Sequence, residues 1–406
     1  MSQQPKNKRR LRAGRYLPVI VASFFLASVC THCAIIHKRP IPTQVRIKGR
    51  KGGFKVGTIF RPETGEVVSF EKLLDDLRKV RIAYIGEMHA SRAHHLIQLK
   101  VLKALSDKRN NLLVGMEMFE ASYQSVLDQW SAGLLDETSF LKAVDWEKTW
   151  KFDFSLYRPI LEFIRKRSLK LVGLNVPASI VEKVAREGLD SLSKEERSKV
   201  ARKIFLSNER HRAYVKEAFK NHRSGDIKNF DFFYQAQCVW DESMAEAIAH
   251  AIDNNQMVVL AGNGHIAYRF GIPDRVLRRT NTSFRTIMPV PVGTEVKPDI
   301  ADYVWVTPLQ VPRRSIVGIR LKCIKQKEGI LIEKVVEGKP AALAGIKDGD
   351  VLLAIDGRTV STLIDVHRAM TGGKKRQDHI FKIKRDGRIM EFTIHIGKNA
   401  GRNNDG

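Results

Sequence analysis

The stretch RIAYIGEMH, from Arg81 to His89, is the part of the sequence from which we infer the fold. Its apolar residues 82–85 are typical of a short buried strand, and Glu87 and His89 follow at once. In open α/β sheets, ligands bind beyond the carboxyl ends of the parallel strands, where the connecting loops diverge. We therefore expect a polar site directly after this strand.

A second strand with the same ending lies far downstream. Met257 to Ala261 is apolar and is followed by the motif GNGH, from Gly262 to His265. The first motif, GEMH, has the same Gly-x-x-His spacing. Glycine lets the backbone turn sharply off a strand and approach a ligand closely. Two strands are thus predicted to deliver a histidine each.

Length and charge restrict the class of protein. The 406 residues exceed what one core usually supports, so two folded domains and a terminal segment are expected. The net charge of +26 is spread over the chain and favours an anionic surface or ligand, such as lipid head groups, haem propionates or phosphates. We predict no nucleic-acid partner, because the sequence has no zinc-finger spacing and no aromatic-basic RNA signature.

The N-terminal segment predicts export. Residues 1–16 are basic, and Leu17 to Cys30 is an apolar stretch of signal-peptide length. Extended to Ile36, the run is about 20 residues, enough for a membrane anchor. Residues 1–37 are therefore interpreted as a signal sequence or membrane anchor, either a lipid anchor or an uncleaved one, and residues 38–57 as a linker. The predicted location is the cell envelope, facing the periplasm or the exterior.

Residues 58–310 alternate between strand and helix patterns. Further apolar runs predict strands at Leu112–Met116, Leu169–Leu174 and Phe284–Met288. A long helical stretch, 179–252, precedes the second glycine motif. Such alternation predicts an α/β domain, with a parallel sheet, flanking helices and a helical cap over the strand ends.

If these strands are parallel, the polar residues at their ends converge in one crevice. They are Glu87, His89, Glu117, Asn175 and His265. Two imidazoles and two carboxylates suit a divalent metal, held by His89, His265 and Glu117. They also suit a hydrolytic site with Glu87, His89, Glu117 and His265 as catalytic residues. The spacing is not that of a standard zinc motif, and both alternatives stay open.

Residues 315–397 have short strands and glycine turns. The segments KPAALAGIKDGDVLL (339–353) and IDG (355–357) resemble a PDZ domain of the bacterial type, which is small and mostly β. The resemblance implies that an extended peptide or a protein C-terminus adds to an edge strand. The implied peptide-binding residues are Val317, Gly318, Ile319, Arg320, Leu321, Leu363, Val366 and His367. Residues 398–406 are a tail.

The region from about Thr58 to Val306 resembles a second family. The matching segments are Gly86-Glu87-x-His89, His94-His95 with Gln98, GMEMF (115–119), LNVP (174–177), Tyr234-x-Ala236-Gln237 with Trp240-Asp241 and Met244-Ala245, and GNGH (262–265). This set resembles the ChaN-like haem-binding lipoproteins, whose wider superfamily includes Tiki proteases, TraB-type proteins and erythromycin esterases. The resemblance implies haem binding in iron uptake, and the enzymatic relatives imply a metal-dependent hydrolase. A non-catalytic envelope scaffold is the third alternative.

Haem, the expected cofactor, needs an apolar slot, an axial ligand and cations for its propionates; a divalent metal is the alternative cofactor. The candidate cofactor-binding residues are His89, Tyr234, His265 and Tyr268. Candidate propionate partners are Arg210, Arg212 and Arg269.

Overall fold

The computed structural model describes residues 42–107, 112–150, 152–220, 227–309, 317–322, 329–361, 365–366, 369–370 and 378–396. The predicted N-terminal anchor, the tail, Leu363 and His367 lie outside these ranges. Within them, no helix combines the length and the hydropathy needed to cross a membrane.

The region from residue 42 to residue 309 is built on an eight-stranded sheet. The strands of this region are β1 (Gln44–Ile47), β2 (Phe54–Lys55), β3 (Ile59–Phe60), β4 (Val67–Val68), β5 (Ile82–Glu87), β6 (Leu112–Glu120), β7 (Lys170–Asn175), β8 (Gln256–Gly262), β9 (Phe284–Pro291), β10 (Glu295–Val296) and β11 (Tyr303–Thr307). The order in the large sheet is β4-β3-β11-β9-β5-β8-β6-β7. The strands from β11 to β7 are parallel, as predicted, whereas β3 and β4 add an antiparallel edge.

Helices cover both faces of this sheet. They are α1 (Phe70–Arg78), α2 (Arg92–Ser106), α3 (Gln124–Ser131), α4 (Glu137–Ala143), α5 (Trp146–Thr149), α6 (Arg158–Lys166), α7 (Ala178–Glu187), α8 (Lys194–Ser198), α9 (Glu209–Lys220), α10 (Phe230–Ile252), α11 (Asn263–Ile266) and α12 (Ile272–Thr280). Strand alternation divides the core: Ala83 and Ile85 pack towards α1, α2 and α6, and Ile82 and Tyr84 pack towards α10 and α12. The mixed α/β architecture is therefore confirmed.

The parallel register of β5 and β8 positions the two glycine motifs. Ile85 pairs with Leu260, and Glu87 pairs with Gly262, so both strands end at the same level. All six residues of β5 are buried because β8 and β9 flank the strand. The histidines that follow must therefore emerge at the same edge of the sheet.

The structure differs from the predicted linker over 38–57. Strand β1 pairs with β2 and β10 in a three-stranded sheet, and its Val45 and Ile47 are buried. The linker prediction is therefore wrong for the part from Gln44 to Lys55. Its glycines and basic residues concealed an alternation of two apolar residues, which is enough to bury one face of a short strand.

The region from Val317 to Ile396 has its own core. Its strands are β12 (Ile319–Lys322), β13 (Ile330–Val335), β14 (Val351–Ile355), β15 (Arg358–Thr359), β16 (Asp378–Arg385) and β17 (Arg388–His395), with one short helix, α13 (Pro340–Leu343). The pairings are antiparallel, and β12 forms one edge of the sheet. Val366 packs against this core. The predicted small, mostly β domain is confirmed.

Replacing Gly173 by alanine is expected to lower the free energy of unfolding by about 1–3 kcal/mol. A Cβ atom at Gly173 would lie 2.5 Å from the Glu120 carbonyl oxygen, whereas a Cβ atom at Gly264 would meet nothing within 4 Å. Gly264→Ala is therefore the control. The five tryptophans all lie between residues 130 and 305, so urea unfolding followed by tryptophan fluorescence reports on this region. Equal midpoints for the two variants would contradict the tight packing at Gly173.

Candidate functional site

The two Gly-x-x-His motifs meet at the carboxyl edge of the sheet, around Glu117. Nε2 of His265 lies 3.4 Å from Glu117 Oε1, and Nε2 of His89 lies 4.0 Å from the same oxygen. Strand β6, which carries Glu117, lies beside β8. The structure thus brings together His89, Glu117 and His265, which are separated widely in sequence.

The other nitrogen of His89 is held by Glu87. Nδ1 of His89 lies 2.9 Å from Glu87 Oε1, and the same oxygen accepts a hydrogen bond of 2.8 Å from the Tyr157 hydroxyl. Gln98 donates to the second oxygen at 2.9 Å. Burial opposes ionisation of Glu87, but its hydrogen bonds from His89 and His95 outweigh burial and lower the pKa to about 2.

His265 has an equivalent support from helix α10. Its Nδ1 lies 2.6 Å from Asp241 Oδ1, and the Asp241 side chain is fully buried. His211 and Arg275 lie on the far side of this carboxylate, at 3.4 and 4.0 Å from Oδ2. Burial disfavours a charged imidazole, but Glu117 and Asp241 outweigh it and raise the pKa of His265 to about 10. His265 is therefore an imidazolium at neutral pH.

Glu117 is fixed by backbone as well as by imidazoles. Its Oε2 accepts a hydrogen bond of 2.6 Å from the Gly262 amide. The Asn175 side chain donates to the Glu117 carbonyl at 2.9 Å, so Asn175 holds the strand and not the reacting groups. Burial raises the pKa of the Glu117 carboxyl, but His265 outweighs burial and the net shift is downward. Glu117 is thus a buried carboxylate.

Position 262 has no room for a side chain. A Cβ atom at this position would lie 2.9 Å from His89 Cε1 and 3.5 Å from Glu117 Oε2. The glycine at the end of β8 therefore lets the His89 ring approach the strand.

His89 and His265 differ in their access to solvent. The His89 side chain is 29% exposed, whereas that of His265 is 9% exposed. The rings of Trp150 and Phe152 lie 4.9 and 5.0 Å from the His89 ring, and Met88 is 45% exposed beside it. His89 is thus the group that a molecule arriving from solvent would meet, within an apolar surround. Burial opposes protonation of His89, but Glu87 and Glu117 outweigh it and raise the pKa.

His94 and His95 serve the scaffold. Nδ1 of His94 accepts a hydrogen bond of 2.9 Å from the Met88 amide, and its Nε2 lies 3.2 Å from Thr307 Oγ1. Burial, with the nearby His95, lowers the pKa of His94 to about 4, which keeps it neutral. Nε2 of His95 lies 3.3 Å from Glu87 Oε2.

The tyrosine candidates lie in different places. Tyr234 is buried, and its hydroxyl donates to the Asn208 carbonyl, so the structure places this candidate haem ligand in the core. Tyr268 is half-buried and lines a cavity of about 320 Å³. The cavity is further lined by Lys48, Asn263, Met288, Pro289, Val290, Thr294, Glu295, Val296, Lys297 and Ile300.

The arginines predicted for propionates are paired with carboxylates. Arg210, Arg212 and Arg269 bind Asp299, Asp231 and Asp302, respectively. Their charges are therefore satisfied within the protein. Lysines, and not these arginines, line the Tyr268 cavity.

The donors around Glu117 are not spaced for a metal. In the part of the chain that the structure describes, no group of three or more His, Cys, Asp or Glu side chains could hold a metal ion. The geometry therefore does not fit the divalent metal considered from the sequence.

Comparison with known proteins identifies both regions. The family model described as haem-binding uptake, Tiki superfamily, ChaN matches residues 73–276, which is half of the chain. The chain belongs to the ChaN family. A PDZ family model matches residues 315–396, so the ChaN domain is followed by a PDZ domain.

Individual relatives are distant. The ChaN structure from Campylobacter jejuni, determined with cofacial haem, has a TM-score of 0.50 and 21% identity, and covers 61% of this chain and 95% of that chain. It supports the fold. The Arabidopsis thaliana protein RETICULATA-RELATED 5 is 23% identical over 58% of this chain and 35% of its own length. A DegP-like probable periplasmic serine endoprotease of Chlamydia pneumoniae is 27% identical over 21% of this chain and 20% of its own length. The chain thus spans about a third of the length of the first curated relative and about a fifth of the length of the second.

Sequence reasoning missed the role of Tyr157 and Asp241. The sequence pattern does not single out Tyr157, although its hydroxyl donates to Glu87. Asp241 was noted only as part of a family match. An acidic residue inside the apolar sequence of α10 was the available signal, because a buried carboxylate needs a partner.

We expect His265 of the ChaN domain to remain protonated at pH 8.5, where an ordinary histidine, with a pKa of about 6.5, is neutral. Nitrogen-15 NMR of labelled histidine rings measures this, and the signal should be absent in His265→Gln. Because the folded pKa is raised to about 10, the stabilisation from this group is complete below about pH 6.5 and is lost as the pH rises to about 10. The unfolding midpoint should fall over that range. A neutral ring at pH 8.5 would contradict the assignment.

Proposed function

We propose that this protein binds haem in the Tyr268 cavity, as part of iron uptake, and binds an extended peptide through its PDZ domain. Membership of the ChaN family supports the ligand class. The single observation that carries the location is the half-buried Tyr268 in a cavity with apolar walls and two lysines, Lys48 and Lys297. Tyrosine oxygen is an established type of haem ligand.

The backbone presents Tyr268 in an unusual conformation. Its φ of 56° and ψ of 8° lie in the left-handed region, which is unfavourable for a bulky residue. The amide of Tyr268 donates to the Ile300 carbonyl at 2.8 Å, and its ring stacks on Phe270 at 5.4 Å. Strain of this kind persists where the surrounding structure enforces it, and it is frequent at ligand sites.

The histidines of the site are engaged with carboxylates. The Nε2 atoms of His89 and His265 face Glu117. In the cavity, by contrast, Tyr268 would supply the axial oxygen, and Lys48 and Lys297 would pair with the propionates. Met288, Val290 and Ile300 would contact the macrocycle. Haem would supply the iron that is carried.

The cell location and the PDZ partner complete the proposal. The apolar N-terminal run would tether the protein in the cell envelope, facing the periplasm or the exterior. In the PDZ domain, strand β12 forms one edge of the sheet, and Gly318 has a φ of 82°. An incoming peptide would pair with Ile319 to Leu321 by main-chain hydrogen bonds, beside Val366.

Tyr268→Phe should weaken haemin binding at least tenfold and remove the tyrosinate signature from the Soret spectrum, because the variant lacks the axial oxygen. Titration of the purified chain with haemin, followed by absorbance, measures this. Tyr234→Phe is the matched control and should bind like the wild type, since the Tyr234 hydroxyl is used by the Asn208 carbonyl. Equal loss in both variants, or wild-type affinity in Tyr268→Phe, would place haem elsewhere.

A second candidate, metal-free hydrolysis, is favoured by one observation. The Glu117 carboxylate lies between two imidazoles, and each imidazole is backed by a buried carboxylate, Glu87 or Asp241. His265, as a fixed imidazolium between Asp241 and Glu117, would keep Glu117 ionised beside His89. His89, whose side chain is 29% exposed, would take a proton from the attacking water as its oxygen bonds to the carbonyl carbon, and would give that proton to the alcohol as the ester C–O bond breaks.

For this activity, Glu117→Gln should reduce kcat/KM for p-nitrophenyl esters by at least about 100-fold. Turnover should increase as the pH rises from neutrality, because the raised pKa of His89 means that its neutral, basic form is populated only at a higher pH than in an ordinary histidine. Stopped assays across pH measure both effects, with Tyr268→Phe as the control that keeps full activity. A wild-type protein without turnover, or an active Glu117→Gln, would remove this candidate.

A further inference from the structure

We propose that the outer face of the three-stranded sheet, β1, β2 and β10, docks on an anionic lipid bilayer. Strand alternation buries Val45, Ile47 and Val296 and turns a set of charged residues outwards. We call this set the basic face; it consists of Arg46, Lys48, Lys55, Glu295 and Lys297, all of which are exposed. Its net charge is three positive charges, since Glu295 is its one acidic member.

The pairing of the strands places these residues side by side. On β1, Gln44 and Arg46 point to the same face. Lys55 is paired with Gln44 and Glu295 with Arg46, so both lie on that face. The sequence from Pro42 to Gly57 contains five basic residues and no acidic residue. Lys51 and the half-exposed Val56, at 51%, extend the surface at its rim. Two carboxylates nearby in sequence are paired with other cations: Glu66 with Lys72, and Asp299 with Arg210.

The length of chain before the basic face indicates its partner. Five residues, 37–41, separate the end of the apolar run at Ile36 from Pro42. Fully extended, this segment spans at most roughly 20 Å. Pro42 lies against the turn before β10, since a Cβ atom at Gly293 would lie 2.9 Å from Pro42 Cβ. A run held in a membrane would therefore keep the basic face close to the lipid head groups.

At that distance from the head groups, basic residues are attracted to anionic lipid. Each Lys or Arg beside an anionic leaflet favours association by about 1 kcal/mol, and the attraction falls off within a Debye length of about 10 Å. Three net charges correspond to a partition advantage on the order of 100-fold over a neutral bilayer. Partners such as nucleic acid or another anionic polymer would need no such tether.

The basic face also adjoins the Tyr268 cavity. Lys48, Glu295 and Lys297 belong to both, so the cavity opens on the surface that would face the lipid. An amphiphilic ligand would then pass between bilayer and cavity without crossing bulk water. This consequence rests on the proposed haem function, whereas the docking rests on the proposed N-terminal tether.

The test uses the full chain assembled in lipid nanodiscs, with hydrogen exchange followed by mass spectrometry. In discs containing phosphatidylglycerol, peptides covering residues 46–56 should exchange at least threefold more slowly than in phosphatidylcholine discs, and 0.5 M salt should remove the difference. Arg46→Glu/Lys51→Glu/Lys55→Glu should abolish the protection. This variant retains Lys48 and Lys297 of the Tyr268 cavity, so a failure of membrane docking can be distinguished from a failure of haem binding.

The matched control reverses three exposed lysines elsewhere in the ChaN domain, as Lys142→Glu/Lys170→Glu/Lys194→Glu. It changes net charge equally and should keep the protection. Tryptophan fluorescence confirms folding of both variants. Equal exchange in the two lipids, loss of protection in the control, or failure of the chain to assemble into discs would overturn the proposal. Protection produced in neutral discs by added heparin would also overturn it, in favour of a polymer partner.

Discussion

The structure depends on the burial of one carboxylate, that of Glu117, at the end of the sheet. An ionised carboxylate that leaves water must be compensated by charge and hydrogen bonds. Here His265 lies 3.4 Å away and the Gly262 amide donates at 2.6 Å, and both come from the strand and helix next to β6 in space. That compensation exists only while β5, β8 and β6 keep their parallel register, so the site and the fold support each other.

The two imidazoles around Glu117 are supported in different ways. Asp241 and His265 are enclosed by α10 and α12, with His211 and Arg275 behind them, so their charges are fixed. Glu87 and His89 have an equally good hydrogen bond but an open side, among Trp150 and Phe152. A site with one fixed cation and one accessible imidazole can take part in proton transfer without losing the charge that holds it together.

The sequence predicted the central sheet because its strands are short apolar runs that end at glycine and polar residues, a pattern that depends on local chemistry. It predicted that His89 and His265 would converge, for the same reason. Tyr157 and Asp241 could not be assigned in this way, since their roles arise from helix packing over long sequence distances. Tyr234 and Tyr268 were both candidates in sequence, and they are separated by the burial of Tyr234, by its hydrogen bond to the Asn208 carbonyl, and by the cavity at Tyr268. The error at Gln44 to Lys55 arose because two buried residues, Val45 and Ile47, are too weak a pattern among glycines and lysines.

The carboxylate site around Glu117 and the Tyr268 cavity are separate, and one motif contributes to both. In GNGH, Gly262 and His265 contact Glu117, whereas Asn263 lines the Tyr268 cavity and donates to the Pro289 carbonyl at 3.2 Å. A ligand in the cavity would therefore leave the carboxylate site unobstructed. Haem binding and hydrolysis are for this reason not exclusive alternatives for the fold. Each depends on different side chains, Tyr268 in one case and Glu117 in the other, so each can be removed without the other.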